Sequence, residues 1–146
     1  MAIVFEFSES ISLVSDQIDI FDFIINLVTV LDERSEVGVT LRAQVVYYGN
    51  DIVTMASVSQ FGIGRGVITN LLNFRETPTQ SGDASGLPDA LDSVRTDFRS
   101  TILNDPTIAH AVIVLKHSLA GTGPLRQALN ILYWFMDQAV PVIIVG

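Results

Sequence analysis

Cysteine is absent from this chain of 146 residues, and lysine occurs once, at Lys116. Without cysteine the protein can form no disulfide bond and offers no thiolate nucleophile or cysteine ligand for zinc or an iron–sulfur cluster. Acidic residues outnumber lysine and arginine by 16 to 8, so the formal net charge is −8. This charge repels phosphate backbones and anionic lipid surfaces, and it therefore disfavours nucleic acid and membranes as partners.

Long apolar runs are also lacking, although 49% of the residues are hydrophobic. Stretches without charge, such as those between Asp22 and Asp32 and between Arg126 and Asp137, are far shorter than the roughly 20 residues of a membrane-spanning helix. We therefore expect no membrane insertion. The length and the apolar fraction predict a single domain over residues 1–146 with a substantial core.

Strand patterns alternate with helix patterns along the chain. Apolar runs rich in β-forming residues predict buried strands at residues 2–7, 110–115 and 140–145. The turn residues Gly49, Asn50 and Asp51 separate two further β-rich runs, residues 37–48 and 52–60, which predicts an antiparallel hairpin. Apolar residues spaced by three and four predict four helices, at residues 16–33, 63–74, 88–98 and 124–139.

Two of these helices allow an expectation about which face packs on the sheet. In the first helix Phe21, Ile24 and Val28 should face the sheet, and Ser15 is the expected N-cap. In the last helix the predicted apolar stripe comprises Leu125, Ala128, Leu129, Leu132, Tyr133 and Met136.

The order of these elements predicts an α/β fold. We expect a Rossmann-like, mostly parallel sheet with helices on both faces and one antiparallel hairpin strand. Because the carboxyl ends of parallel strands meet at one edge, the loops after Phe7, around Asp83 and after Leu115 should share a rim. Ligand sites are expected at this rim.

The first loop of the rim reads Glu6-Phe7-Ser8-Glu9-Ser10, an acid and two hydroxyls at alternating positions after a buried strand. This pattern resembles the Asp-x-Ser-x-Ser motif of von Willebrand factor type A (vWA) domains. The likeness continues through the first helix, the hairpin, the loop at residues 81–86 and the late strand, helix and strand. The resemblance implies a vWA-like fold, a noncatalytic protein-binding role in adhesion or assembly, and an extracellular location.

In the vWA family this rim organises a divalent cation in the metal-ion-dependent adhesion site (MIDAS). Ser8 and Ser10 match the motif, Glu6 replaces the usual aspartate, and either Ser85 or Asp83 takes the place of a threonine. The resemblance thus implies a degenerate metal site of Glu6, Ser8, Ser10, Asp83 and Ser85.

The last part of the motif departs from the family pattern. The usual Thr-Asp-Gly after the late strand is replaced by Lys116-His117-Ser118, and an ammonium group repels a cation. We therefore expect binding that is independent of metal, no cofactor, and an ion pair between Glu6 and Lys116. The alternative is a weak Mg²⁺ or Ca²⁺ site at the same residues.

Two other functions stay open. A small α/β hydrolase would use His117 with Ser118, Ser8 and Glu6 on the same rim, although the sequence contains no Gly-x-Ser-x-Gly elbow. A self-assembling structural subunit is the other alternative. The family pattern usually continues with a further helix and strand, so we expect an apolar sheet edge or face near residues 140–145 and self-association or an apolar protein partner there.

Overall fold

In the computed structural model, which describes residues 1–34, 40–54, 62–76, 78–105, 107–118 and 121–146, a six-stranded sheet lies between two layers of helices. The strands are β1 (Ala2–Glu6), β2 (Arg42–Tyr48), β3 (Ile52–Thr54), β4 (Gly62–Ile63), β5 (Val112–Leu115) and β6 (Val142–Val145). The helices are α1 (Val14–Glu33), α2 (Gly64–Glu76), α3 (Leu87–Asn104) and α4 (Thr122–Asp137), and a 3-10 turn at Ala84–Gly86 precedes α3.

Parallel pairing dominates the sheet, whose strand order is β3-β2-β1-β5-β6. β1 is the central strand, because Val4 lies opposite both Val46 of β2 and Val114 of β5. β6 runs parallel to β5, while β3 and β4 each pair with β2 in the antiparallel sense. The predicted α/β fold with a mostly parallel sheet and an antiparallel hairpin strand is therefore confirmed.

Alternate residues of the strands contribute to two separate cores. Ala2 and Val4 of β1 face the core beneath α3 and α4, whereas Ile3 and Phe5 face the core beneath α1 and α2. A strand that is apolar on both faces needs a helical layer on each side, as the continuous apolar run of β1 predicts.

Helix α1 packs with the predicted face. Phe21, Ile24 and Val28 are its buried residues, and the rings of Phe21 and Phe5 meet edge to face with centroids 5.5 Å apart. The predicted N-cap is wrong, because the helix begins at Val14 after an extended Leu13. Ser15 consequently lies inside the first turn, where its hydroxyl donates to the Asp16 carboxylate at 3.4 Å.

Helix α4 turns a different face to the sheet from the one that its apolar spacing predicted. Its buried residues are Ala128, Ile131 and Phe135. Of the predicted stripe, Leu125, Leu129, Tyr133 and Met136 are exposed. The helix carries two apolar faces, and the one with Phe135 is buried because its ring packs edge to face against Phe98 of α3.

Several predicted element ends differ from the structure. β2 begins at Arg42, α3 continues to Asn104, and β5 begins at Val112. The predicted ends of the hairpin strands at residues 37 and 60 lie outside the described residues. Among the helices of the described part of the chain, none combines the length and the apolar character needed to cross a membrane.

Candidate functional site

The loops at the carboxyl ends of β1 and β5 and the loop before α3 meet at one edge of the sheet. We call this surface the loop rim and define it as residues 6–10, 81–85 and 116–118. The Glu9 amide donates to the Gly82 carbonyl at 2.8 Å, and the His117 amide donates to the Glu6 carboxylate at 2.8 Å. The three loops that the sequence placed on one rim are therefore in contact.

The Glu6 carboxylate is the centre of the loop rim. Its Oε1 atom accepts hydrogen bonds from the hydroxyls of Ser8 at 2.7 Å, Ser10 at 3.1 Å and Ser118 at 2.5 Å. Its Oε2 atom accepts from the backbone amides of His117 and Ser118, both at 2.8 Å. The residue is 2% exposed. Five donors thus hold a buried carboxylate, and they connect β1 to the loop after β5.

These hydrogen bonds fix the ionisation of Glu6. Burial alone would raise the pKa of the carboxyl, but the donors from Ser118, Ser8 and His117 lower it to about 2. The resulting charge acts on the buried Tyr48, since burial raises the pKa of its hydroxyl and the negative charge of Glu6 raises it further. Glu6 is therefore an anion at any ordinary pH.

The expected ion pair between Glu6 and Lys116 is wrong. Within the described residues, the salt bridges are Arg75 to Asp22 and Arg95 to Asp92, and neither involves the loop rim. The carboxylate of Glu6 instead bonds to the two amides that follow Lys116 in the chain. The Lys116 side chain lies beside Gly146. A Cβ atom added to Gly146 would be 3.1 Å from the Cγ atom of Lys116.

Asp83 and Ser85 form a separate arrangement on the loop rim. The Asp83 carboxylate accepts a hydrogen bond from the Ser85 amide at 2.9 Å and so caps the 3-10 turn. Hydrogen bonds from the Ser85 hydroxyl and amide lower the pKa of Asp83. Glu6, Ser8 and Ser10 are thus brought together, whereas Asp83 and Ser85 bond to each other.

A divalent cation on the loop rim would compete with hydrogen bonds that are already present. Ca²⁺ takes six to eight oxygen ligands, and Mg²⁺ takes six, of which one or two are carboxylates and several are waters. The part of the chain that the structure describes contains no cluster of three or more His, Asp or Glu side chains able to hold a metal. Glu6 supplies the carboxylate that bonds to Ser8 and Ser10, and amide and hydroxyl donors already bond both of its oxygens. A cation would have to displace these donors.

Two further residues organise the loop rim. The sequence pointed to Ser118 in the loop after the late strand and for the hydrolase alternative, but it did not single out Gln80. Gln80 donates from Nε2 to the carbonyls of Ser8 at 2.8 Å and Ile11 at 2.7 Å, and so holds the loop after β1. Ser118 supplies both an amide and a hydroxyl to Glu6. A hydroxyl residue in the loop after β5 was the signal for Ser118, but Gln80 gave no comparable signal.

The turn between β2 and β3 is tied closely to the loop rim. The Gly86 amide donates to the Gly49 carbonyl at 2.7 Å, and the Asn50 amide donates to the Ser81 carbonyl at 2.9 Å. A Cβ atom on Gly49 would lie 1.6 Å from the Ser81 carbonyl oxygen, so this approach requires glycine.

The residues proposed for a hydrolase do not form a triad. The Ser8 hydroxyl bonds to Glu6, but His117 reaches Glu6 through its backbone amide. His117 is exposed, and its imidazole makes no hydrogen bond with the described residues. Ser8 therefore has no general base beside it, since a carboxylate with a pKa of about 2 is a weak base.

A cleft opens beside the loop rim, between α1 and the ends of β5 and β6. Its volume is about 480 Å³. Its apolar lining includes Phe5, Ile20, Phe23, Leu115 and Val145, and its polar lining includes Asp16, Asp19, Lys116 and His117. The cleft gives the rim a concave, largely apolar surface next to the exposed loops.

No protein-family model and no curated protein matches the chain. Among solved structures, the manganese-loaded TRAP protein of Plasmodium vivax is similar with a TM-score of 0.77 and 16% identity, over 99% of this chain and 55% of that one. Proximal thread matrix protein 1 (PTMP1) of the mussel byssus, with zinc in its MIDAS motif, is similar with a TM-score of 0.71 and 22% identity, over 99% of this chain and 37% of that one.

The chain spans about half the length of the TRAP chain and about a third of the PTMP1 chain. At these identities the likeness concerns the fold. Both neighbours are vWA-domain proteins, and they share the parallel sheet and flanking helices described above. The chain therefore has a vWA-like fold.

Proposed function

We propose that this chain is a noncatalytic protein-binding module that acts in adhesion or assembly, and that it binds through the loop rim and the adjoining cleft without a divalent cation. The observation that carries this proposal is the Glu6 carboxylate. In a metal-dependent rim a cation would neutralise such an acid and hold the loops together. Here five uncharged hydrogen-bond donors stabilise the ionised carboxylate and hold the loops together, so the loops are positioned before any ligand arrives.

The surface of the loop rim suits contact with another protein. Glu9, Ser10, Asp83 and His117 are exposed on loops whose backbones are tied together by hydrogen bonds. The cleft beside them supplies apolar area of the kind that buries a partner's side chain. Rigid loops around an apolar depression lower the entropy cost of association.

The similar structures support the assembly role and an extracellular location. One of them is a matrix protein of the mussel byssus, and its zinc-occupied MIDAS motif lies in the same fold. The partners of this chain include, in our proposal, a second copy of itself. No specific observation favours the hydrolase, because among the described residues the His117 imidazole makes no hydrogen bond with Ser8.

Capture from an extracellular-matrix extract tests the proposal. The chain is coupled to beads, and the retained protein is quantified in EDTA and in Mg²⁺ or Mn²⁺. We expect specific retention that changes by less than about twofold between these conditions, since the rim needs no cation. Absence of any specific retention, or retention that requires a divalent cation, would contradict the proposal.

Variants locate the binding surface. Glu9→Lys combined with His117→Glu changes two exposed residues of the loop rim and should reduce retention by about tenfold or more. Glu33→Lys is the matched control, because Glu33 is an exposed acid at the far end of α1. Equal retention by the rim variant and the control would place the binding surface elsewhere.

A further inference from the structure

Helix α4 presents an apolar surface that the described residues cover only in part. We call it the α4 stripe and define it as Leu125, Leu129, Leu132, Tyr133 and Met136. Leu132 is partly buried, and the other four are between 38% and 64% exposed. Ile144 of β6, on the same face of the sheet as Val142, is also exposed, at 55%. A contiguous apolar surface of this kind marks an interaction site.

We propose that the α4 stripe binds a second copy of the chain, with the two α4 helices antiparallel across a two-fold axis. This inference deepens the proposed function, because it names one partner of the binding module and the surface that takes it. Residues 125, 129, 132 and 136 are spaced by four, three and four, which is the spacing of helices that pack along a shared seam.

The intervals of four, three and four residues along the α4 stripe are the same from either end of the helix. In an antiparallel pair Leu125 of one copy lies opposite Met136 of the second copy, and Leu129 lies opposite Leu132. Each contact then occurs twice, as a two-fold interface requires. The α4 stripe is therefore complementary to itself, and no second surface of the chain is needed.

The charges of α4 fit the same arrangement. Arg126 and Asp137 are the charged residues nearest the two ends of the stripe, and no charged residue lies between them. They lie on the same flank of the helix, but 11 residues of helix separate them by about 16 Å, so they do not pair within one copy. Among the described residues neither takes part in a salt bridge.

Antiparallel pairing brings Arg126 of each copy beside Asp137 of the other. The centre of this charge pairing falls within about one residue of the centre of the apolar pairing, so one two-fold axis serves both. The net charge of −8 opposes association of two copies, but it is screened beyond about 8 Å at physiological salt, and the stripe itself carries no acid.

Analytical ultracentrifugation with light scattering, over about 1 to 200 micromolar chain, tests the proposal. We expect the wild type to form dimers and Leu129→Glu to be monomeric over this range, because a charge in the centre of the seam is desolvated on association. Leu103→Glu is the matched control. Leu103 is 74% exposed near the end of α3, and this variant should dimerise like the wild type.

A charge exchange tests the antiparallel geometry with substitutions at exposed positions that preserve the fold. Arg126→Glu and Asp137→Arg should each weaken dimerisation by roughly tenfold, and the two together should restore it to within about threefold of wild type. Restoration cannot come from contacts within one copy, since the two positions are too far apart along the helix.

Three outcomes would overturn the inference: a monomeric wild type throughout the range, a dimer that survives Leu129→Glu, or a double exchange no better than the single variants. The proposed function fails separately. Metal-independent capture by the loop rim with a monomeric wild type would leave the function standing and remove the α4 interface. Dimer formation without any retention of a partner would leave the α4 interface standing and contradict the proposed function.

Discussion

The carboxylate of Glu6 accepts hydrogen bonds from both the amide and the hydroxyl of Ser118, at 2.8 Å and 2.5 Å, although 112 residues separate the two in sequence. This contact joins the central strand to the loop after β5 through a carboxylate that is almost fully buried. It assigns a structural role to a segment whose sequence departs most from the vWA motif.

Divalent cations should bind weakly. Calorimetric titration with Mg²⁺, Ca²⁺ or Mn²⁺ should give dissociation constants no better than about millimolar, the weak limit for sites built from oxygen ligands. The reason is that both oxygens of Glu6 are already hydrogen-bonded. A micromolar isotherm that Ser8→Ala and Ser10→Ala both abolish would show that the hydroxyls bind metal instead.

Ser118→Ala should lower the free energy of unfolding by about 1 to 3 kcal/mol, the range for a hydrogen bond to a charged group. The substitution removes the hydroxyl donor but leaves the backbone amide on Glu6. Ser12→Ala, at an exposed serine of the following loop, should change stability by less than about 0.5 kcal/mol. Chemical denaturation measures both changes in unfolding free energy. Equal changes for the two variants would mean that the Ser118 hydroxyl does not contribute to the hydrogen-bond network of Glu6.

Acid should destabilise the protein partly through Glu6. Its pKa is lowered from 4.5 to about 2 on folding, so the unfolded chain binds the proton more readily. The stabilisation is complete above pH 4.5 and is lost as the pH falls through the folded pKa of about 2. Denaturation curves at several pH values should therefore show a steeper loss for the wild type than for Glu6→Gln. If the wild type and Glu6→Gln lost the same unfolding free energy as the pH falls, this would contradict an ionised, hydrogen-bonded carboxylate at Glu6.

Ile24→Ala should cost about 2 to 5 kcal/mol of unfolding free energy, because Ile24 is fully buried between α1 and the sheet. Ile18→Ala on the same helix is the control, since Ile18 is exposed and should lose far less. A loss below about 0.5 kcal/mol for Ile24 would mean that α1 presents another face to the sheet.

The sequence predicted the layers of the fold well because burial is periodic in it. The apolar run of β1 and the spacing of Phe21, Ile24 and Val28 in α1 each allow one arrangement against a sheet, and the structure has that arrangement. Helix α4 has apolar residues on two faces, so spacing alone did not decide which face is buried. The contact between Phe135 and Phe98 decided it, and this contact depends on the position of α3.

The sequence predicted the position of the loop rim, but only some of the groups that bond to one another there. Side-chain types marked Glu6, Ser8 and Ser10, and the structure brings these three together. Two of the five donors on Glu6 are backbone amides, which every residue except proline carries, so composition could not point to them. The charge of Lys116 suggested an ion pair with Glu6, but the backbone amides of the next two residues bond to this carboxylate instead.

The position of β1 has a consequence for folding during synthesis. Val4 pairs with Val46 on one side and with Val114 on the other, so the central strand is made first and acquires its second neighbour about 110 residues later. At the roughly 5 to 20 residues per second of translation, one edge of a largely apolar strand waits on the order of 5 to 20 seconds for its partner. The contacts that complete the sheet have high contact order, so they form late and slowly compared with α1 and the hairpin. A nascent chain halted before β5 should therefore bind chaperones through Ala2–Glu6, a segment that is entirely buried in the native protein.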